Sequence, residues 1–242
     1  MRLTRAEFSS WAEQLYQRLD EKLSWTKVAT DATFGVTTIS MQRTRNEVDP
    51  QVILNIARTR RLDPIQELSR IPRWQHLGTT RSSPSQAEVI ASLHPAHALR
   101  EISDRLLVRA PDHPDFGPWD AYPSRFSTWI DVAGPDNARE IMRNTLGLNA
   151  SSLSAKLNSN SEFRVDEVID GFTAANMDPV YGLVLAGTLT PREAGYADSI
   201  RQDALLSVSD EDLLHLNQRQ VRYMRRILQE HRIAEEHLRK LQ

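Results

Sequence analysis

Ser24-Trp25-Thr26-Lys27-Val28-Ala29-Thr30-Asp31-Ala32-Thr33-Phe34-Gly35-Val36-Thr37-Thr38-Ile39-Ser40-Met41-Gln42-Arg43 reads as two short helices around a tight turn. Ser24 is placed as a helix N-cap, and Val28, Ala29 and Ala32 recur at helical spacing. The small Ala29 lets a second helix cross closely. Gly35 is the punctuation expected between the two helices. Val36 and Ile39, three apart, are expected to hold the second helix on the core, which turns Thr37, Thr38, Ser40, Met41 and Arg43 outward. Hydroxyls, a soft apolar group and a guanidinium are the side chains that meet base edges and phosphates in a major groove.

Downstream, Asp49-Pro50-Gln51-Val52-Ile53-Leu54-Asn55-Ile56-Ala57 opens an amphipathic helix, and Asp63-Pro64 supplies a cap and first position for the next. Together these stretches resemble the helix-turn-helix domain of the lambda-repressor-like (XRE-type) transcription factors. In that family the recognition helix is followed by a loop, by a helix of the form Ile53-x-x-Ile56-Ala57-x-x-x-x-Leu62, and by a short helix such as Pro64 to Leu68. The likeness covers roughly a quarter of the chain, and it departs from the family in one place: Gly35 lies further from Ala29 than the family's turn glycine does, so aligning Ala29 and Ile39 instead gives Thr33 the glycine place and Phe34 the turn hydrophobe. It implies an all-α fold and a sequence-specific regulator of transcription that binds double-stranded DNA, a repressor of phage or mobile-element type. The helix from about Gly35 to Arg45 would then enter the major groove. The implied DNA contacts are Thr26, Lys27, Val36, Thr37, Thr38, Ser40, Met41, Arg43 and Arg45, with Thr26 and Lys27 on phosphate.

Ala138 to Pro179 repeats this plan. Leu153 superposes on Ile39 with a shift of 114, and Asp178-Pro179 on Asp63-Pro64 with a shift of 115, so one residue inserted in a loop reconciles the copies. The second outward face is Asn149, Ala150, Ser151, Ser154, Lys156 and Asn158. Asp166, Glu167 and Asp170 on the next helix would repel phosphate if they lay near it. Two readings follow: the second copy contacts a second DNA segment, or it keeps the fold and serves as a protein interface.

The chain of 242 residues carries a formal net charge of −2, but residues 1–81 hold 13 Lys and Arg against 9 Asp and Glu. Positive charge therefore gathers where phosphate would be met. With 40% hydrophobic and 26% charged residues, the composition is that of an ordinary soluble globular protein. There is no apolar run of bilayer length, no signal peptide and no cysteine, which leads us to expect a cytoplasmic protein without a membrane partner. No phosphate loop, dinucleotide fingerprint or His-Glu-x-x-His occurs, so neither an enzyme nor a cofactor is expected, and His94 and His97 are expected as surface residues without a metal.

The expected organisation is a DNA-binding domain over 1–78, a linker and connector over 79–130, the second helical domain over 131–205, and a long helix over 206–242. A first helix runs from Leu3 to Leu23, with Phe8, Trp11, Ala12, Leu15, Tyr16, Leu19 and Leu23 as its apolar stripe. Two helices are placed at Gln86 to Leu93 and Ala96 to Arg109, the second with Leu99, Ile102, Leu106 and Leu107 on one face. Between Pro111 and Pro123 the prolines forbid regular structure, and Phe116, Trp119 and Tyr122 pin the loop to a core. The last helix, capped by Ser209, carries a heptad of Leu214, Val221, Met224, Leu228 and Leu238 with polar interruptions. It forms a homodimer coiled coil, packs on its own chain, or touches DNA through Arg219, Arg222, Arg225 and Arg226. The competing class of function is a protein-interaction module, such as an antitoxin-like adaptor.

Overall fold

The structure, a computed structural model, describes residues 2–79, 83–107, 125–159 and 163–240. The proline-rich stretch with Phe116, Trp119 and Tyr122 lies outside them, as do the side chains of Arg226, Leu228 and Leu238. The chain is all-α: the described residues hold helices and one isolated bridge, between Leu3 and Val48. None of these helices is long and apolar enough to cross a membrane.

Five helices build the first unit: α1 (Arg5–Arg18), α2 (Trp25–Asp31), α3 (Val36–Thr44), α4 (Gln51–Thr59) and α5 (Pro64–Ser69). Thr4 and Glu7 form a reciprocal capping box that starts α1. Helix α1 ends earlier than its apolar stripe suggests, because Asp20 turns left-handed (φ 54°) and the Glu21 amide returns to the Tyr16 carbonyl. Leu19 and Leu23 still pack against the core from outside the helix. Asp63 caps α5 through the amides of Ile65 and Gln66, with Pro64 in the first position.

After a 3-10 turn (Pro72–Trp74), α6 (His76–Thr79), α7 (Gln86–Ala91) and α8 (Pro95–Leu106) lead to a second unit. The break between α7 and α8 falls just before Pro95, which takes the first position of α8 with His94 as its cap. The second unit comprises α9 (Arg125–Ala133), α10 (Ala138–Leu146), α11 (Ala150–Ser159), α12 (Val165–Ala174) and α13 (Pro179–Leu185). Then come α14 (Ile200–Ser207) and α15 (Asp210–Lys240).

The backbone repeats as well as the sequence. Thr33 and Gly147, 114 apart, both turn left-handed, at φ 59° and 63°. The amides that follow, Phe34 and Leu148, bond back to Ala29 and Arg143. Arg61 and Asn176, 115 apart, share φ near 55°, and Asp178 caps α13 as Asp63 caps α5.

One apolar core runs through both units. Trp11, Tyr16, Ile39, Ile53 and Trp74 are buried in the first; Phe126, Trp129, Phe172 and Tyr181 form an aromatic cluster in the second, with Trp129 and Phe172 centred 4.6 Å apart. Of the stripe expected on α8, Ile102 packs against the core while Leu99, Leu106 and Leu107 are exposed, and a period of three and four marks an apolar face without saying what covers it. The first half of α15 packs on its own chain through Leu213, Leu216, Asn217, Gln220 and Tyr223, leaving Leu214 and Val221 of the expected heptad exposed. Gln220 donates to the carbonyls of Ile90 and Leu93.

Candidate nucleic-acid interface

Helix α3 lies on the first unit with Ile39 as its buried anchor, at 1% exposure. Its outer face consists of Val36, Thr37, Ser40, Met41, Thr44 and Arg45, all exposed. These positions fall at i, i+1, i+4, i+5, i+8 and i+9, one continuous stripe of a helix. Val36, which the spacing places against the core, stands outside at 47% exposure, so Ile39 anchors the helix without it. Thr38 and Arg43 are half-buried at the edge of the stripe, and Thr44 belongs to the face although its sequence neighbours gave no sign of it.

The turn before α3 is made by Thr33. Gly35 is extended (φ −66°) and caps α3, so its freedom at positive φ is unused there. Thr33 stays in the left-handed region with help from α4: the Asn55 amide donates to the Ala32 carbonyl at 3.0 Å, and Gln51 donates to Asn55 at 2.9 Å. At the far end of α3, Gln42 accepts from the Asp49 amide at 3.1 Å, and Asp49 in turn accepts from the Gln51 amide. The turn before α3 and the C-terminal part of α3 are thereby tied to α4 and the residues that lead into it. A rigid helix presenting short side chains costs little ordering entropy when it docks.

Arg43 does not project freely from this face. Its guanidinium stacks 3.4 Å from the centre of the Trp25 ring, binding α3 to α2. Burial, then the nearby Arg5, lowers its proton affinity. Lys27 forms a 2.6 Å ion pair with Glu21, while Thr26 at the start of α2 is exposed. The Lys27 bond holds the Glu21 carboxyl below its usual range.

Most other cations of this unit are engaged internally. Arg60 grips the buried Asp31 at 2.6 Å, with the Tyr16 hydroxyl donating to the same carboxylate, and Arg18 and Arg70 share Glu67. Arg58 reaches the second unit. Arg5 and Arg45 are exposed and make no ion pair among the described residues. They are the cations available to an anion beside α3.

Helix α11 offers a matching face. Val36, Thr37, Ser40, Met41 and Thr44 correspond, at the shift of 114, to Ala150, Ser151, Ser154, Ala155 and Asn158. Ser154 is half-buried and the other four are exposed. Asn149 caps the helix, accepting from the Ser152 amide at 2.8 Å. Lys156 is withdrawn from the face by a 3.0 Å ion pair with Glu167.

The acids expected to repel phosphate are occupied. Glu167 holds Lys156 and Arg164; Asp166 holds Arg164; Asp170 accepts from the Trp74 indole at 2.8 Å. Burial pushes the Asp166 carboxyl up, but its bonds to Arg164 bring it below the ordinary range.

Of the expected basic helix, Arg219 donates to the carbonyls of Asp131 and Gly134 and so closes the end of α9. Set against protein-family models, curated proteins and solved structures, the chain matches none of them.

Proposed function

We propose that this protein is a sequence-specific regulator that binds double-stranded DNA through α3, in the manner of the lambda-repressor-like helix-turn-helix proteins it resembles. The observation that carries the reading is the outer face of α3. Val36, Thr37, Ser40, Met41 and Thr44 stand exposed on a helix tied to α4 near its C-terminal end and through the turn before it, with Arg5 and Arg45 in no ion pair among the described residues. Hydroxyls bond either a donor or an acceptor edge, and Val36 and Met41 suit thymine methyl groups. A repressor of phage or mobile-element type working in the cytoplasm is what the resemblance adds.

The test is selection of binding sites from random duplex DNA by the full chain at physiological salt. An enriched sequence whose binding is weakened in Thr37→Glu supports the reading. No enriched sequence, with binding that follows salt alone, overturns it. A protein-interaction module is the second reading, favoured by the exposure of Val36 and Met41 at 47% and 48%. Capture of a defined protein that competes with α3 substitutions, without DNA enrichment, would establish it instead.

A further inference from the structure

The contacts between the two units are reciprocal. Arg58 on α4 holds Glu193 at 2.6 Å and donates to the Thr188 carbonyl. At the shift of 115, Arg58 corresponds to Thr173 on α12, and residues 188–193 correspond to 73–78. Thr173 and its neighbour Asp170 meet that very segment: Thr173 pairs with His76 at 3.1 Å, and Asp170 with Trp74. So α4 of the first unit touches the segment that follows α13 of the second, and α12 touches the corresponding segment that follows α5 of the first.

Two further pairs mark where such a relation would place its axis. Ile65 of α5 and Val180 of α13, which correspond, line one small cavity together with Leu77, Ala194 and Tyr196. Asp49 and Arg164, in the corresponding loops before α4 and α12, lie within each other's field. Head-to-tail packing would give one set of contacts without its mirror. Reciprocity is the property of an isologous, two-fold interface.

Resting on the DNA-binding reading, we infer that the chain is an intramolecular pseudo-dimer whose α3 and α11 read the two halves of an imperfect inverted repeat. A two-fold rotation preserves direction along its axis and reverses it across the axis, so α3 and α11 sit at one level along it; in the pseudo-dimer their outer faces lie along that axis, on one side of the molecule. A duplex has its own two-fold axes perpendicular to its length, and two-fold proteins use them to bind inverted half-sites. The half-sites are unequal because the faces are: Val36 and Met41 are replaced by Ala150 and Ala155, which remove apolar bulk for thymine methyls. The hydroxyl positions Thr37 and Ser40 persist as Ser151 and Ser154.

The experiment is site selection with the full chain, followed by hydroxyl-radical footprinting and native mass spectrometry of the selected duplex. Thr37→Glu and Ser151→Glu are compared with the parent; both positions are exposed, and unchanged thermal unfolding confirms that the variants fold. The expected result is one chain per duplex on an inverted repeat. Thr37→Glu removes protection from one half, Ser151→Glu from the other, and each weakens binding by about tenfold or more. A direct repeat, two chains across the inverted repeat, or a single half-site indifferent to Ser151→Glu overturns the inference while leaving DNA binding in place. No enriched site at all overturns both.

Discussion

The Arg43 guanidinium lies 3.4 Å from the centre of the Trp25 ring, so the most conspicuous cation of α3 is a clamp between α2 and α3. Its Nε is buried among side chains that offer it no hydrogen bond among the described residues. The stack fixes the angle between the two helices, and with it the attitude of Thr37 and Ser40.

Arg43→Ala is therefore expected to lower folding stability by about 1 kcal/mol, the range of a partly desolvated cation-π pair. Denaturant unfolding measures it. DNA affinity falls with it, and the sequence preference stays as in the parent; a changed preference at full stability would make Arg43 a base contact.

Thr37→Ala and Ser40→Ala should behave the other way. Both side chains are exposed, so stability changes stay within about 0.5 kcal/mol. The selected sequence alters at one or two base pairs, and the salt slope of binding is unchanged because no phosphate contact is removed.

The two left-handed turns give a paired test. Thr33 is β-branched at φ 59°, a conformation that strains its Cβ, whereas Gly147 takes φ 63° freely. Thr33→Gly is expected to stabilise the chain by about 0.5 to 1 kcal/mol. Gly147→Ala, where a new Cβ meets nothing within 4 Å, is expected to destabilise it by about 1 kcal/mol through backbone strain alone.

Acid should weaken two carboxylate contacts, one at the seam between the units and one at the start of α12. Bonds from Arg58 hold the Glu193 carboxyl below its ordinary value, and Asp166 lies low beside Arg164 despite its burial. A depressed carboxyl contributes stability above the unfolded-state value and loses it as pH falls through the folded-state value. Unfolding midpoints should thus be level at neutral pH and drop below the ordinary carboxylate range. Arg58→Ala should lower the neutral plateau and soften that drop.

Much of this architecture was legible in the chain, because caps are local. Asp63-Pro64, Asp178-Pro179 and Ser209 start their helices where short-range chemistry puts them. The repeat was legible too, and the structure gives the turn to Thr33, although no glycine marks it. What the residues could not announce was long-range. Nothing local tells that Asn55 holds the Ala32 carbonyl, that α1 stops before Leu19, or that Arg43 turns back onto Trp25. Likewise two of the acids near α11 have partners on other elements, Lys156 for Glu167 and Trp74 for Asp170, that no local pattern announces. The reciprocity of the seam belongs to pairs such as Arg58 with Glu193, 135 positions apart, and no single stretch contains it.

The joining of the two units in one chain bears on dosage. In a repressor made of two identical chains, dilution separates the halves, and occupancy falls more steeply than the amount of protein. Here the peptide chain and the Arg58–Glu193 seam keep α3 and α11 together at any dilution. Under the proposed pseudo-dimer, one copy of the protein suffices for one site, so occupancy is expected to rise in simple proportion to abundance at low levels, and a mutation in one face is expected to alter half of the selected sequence and leave the other half as it was.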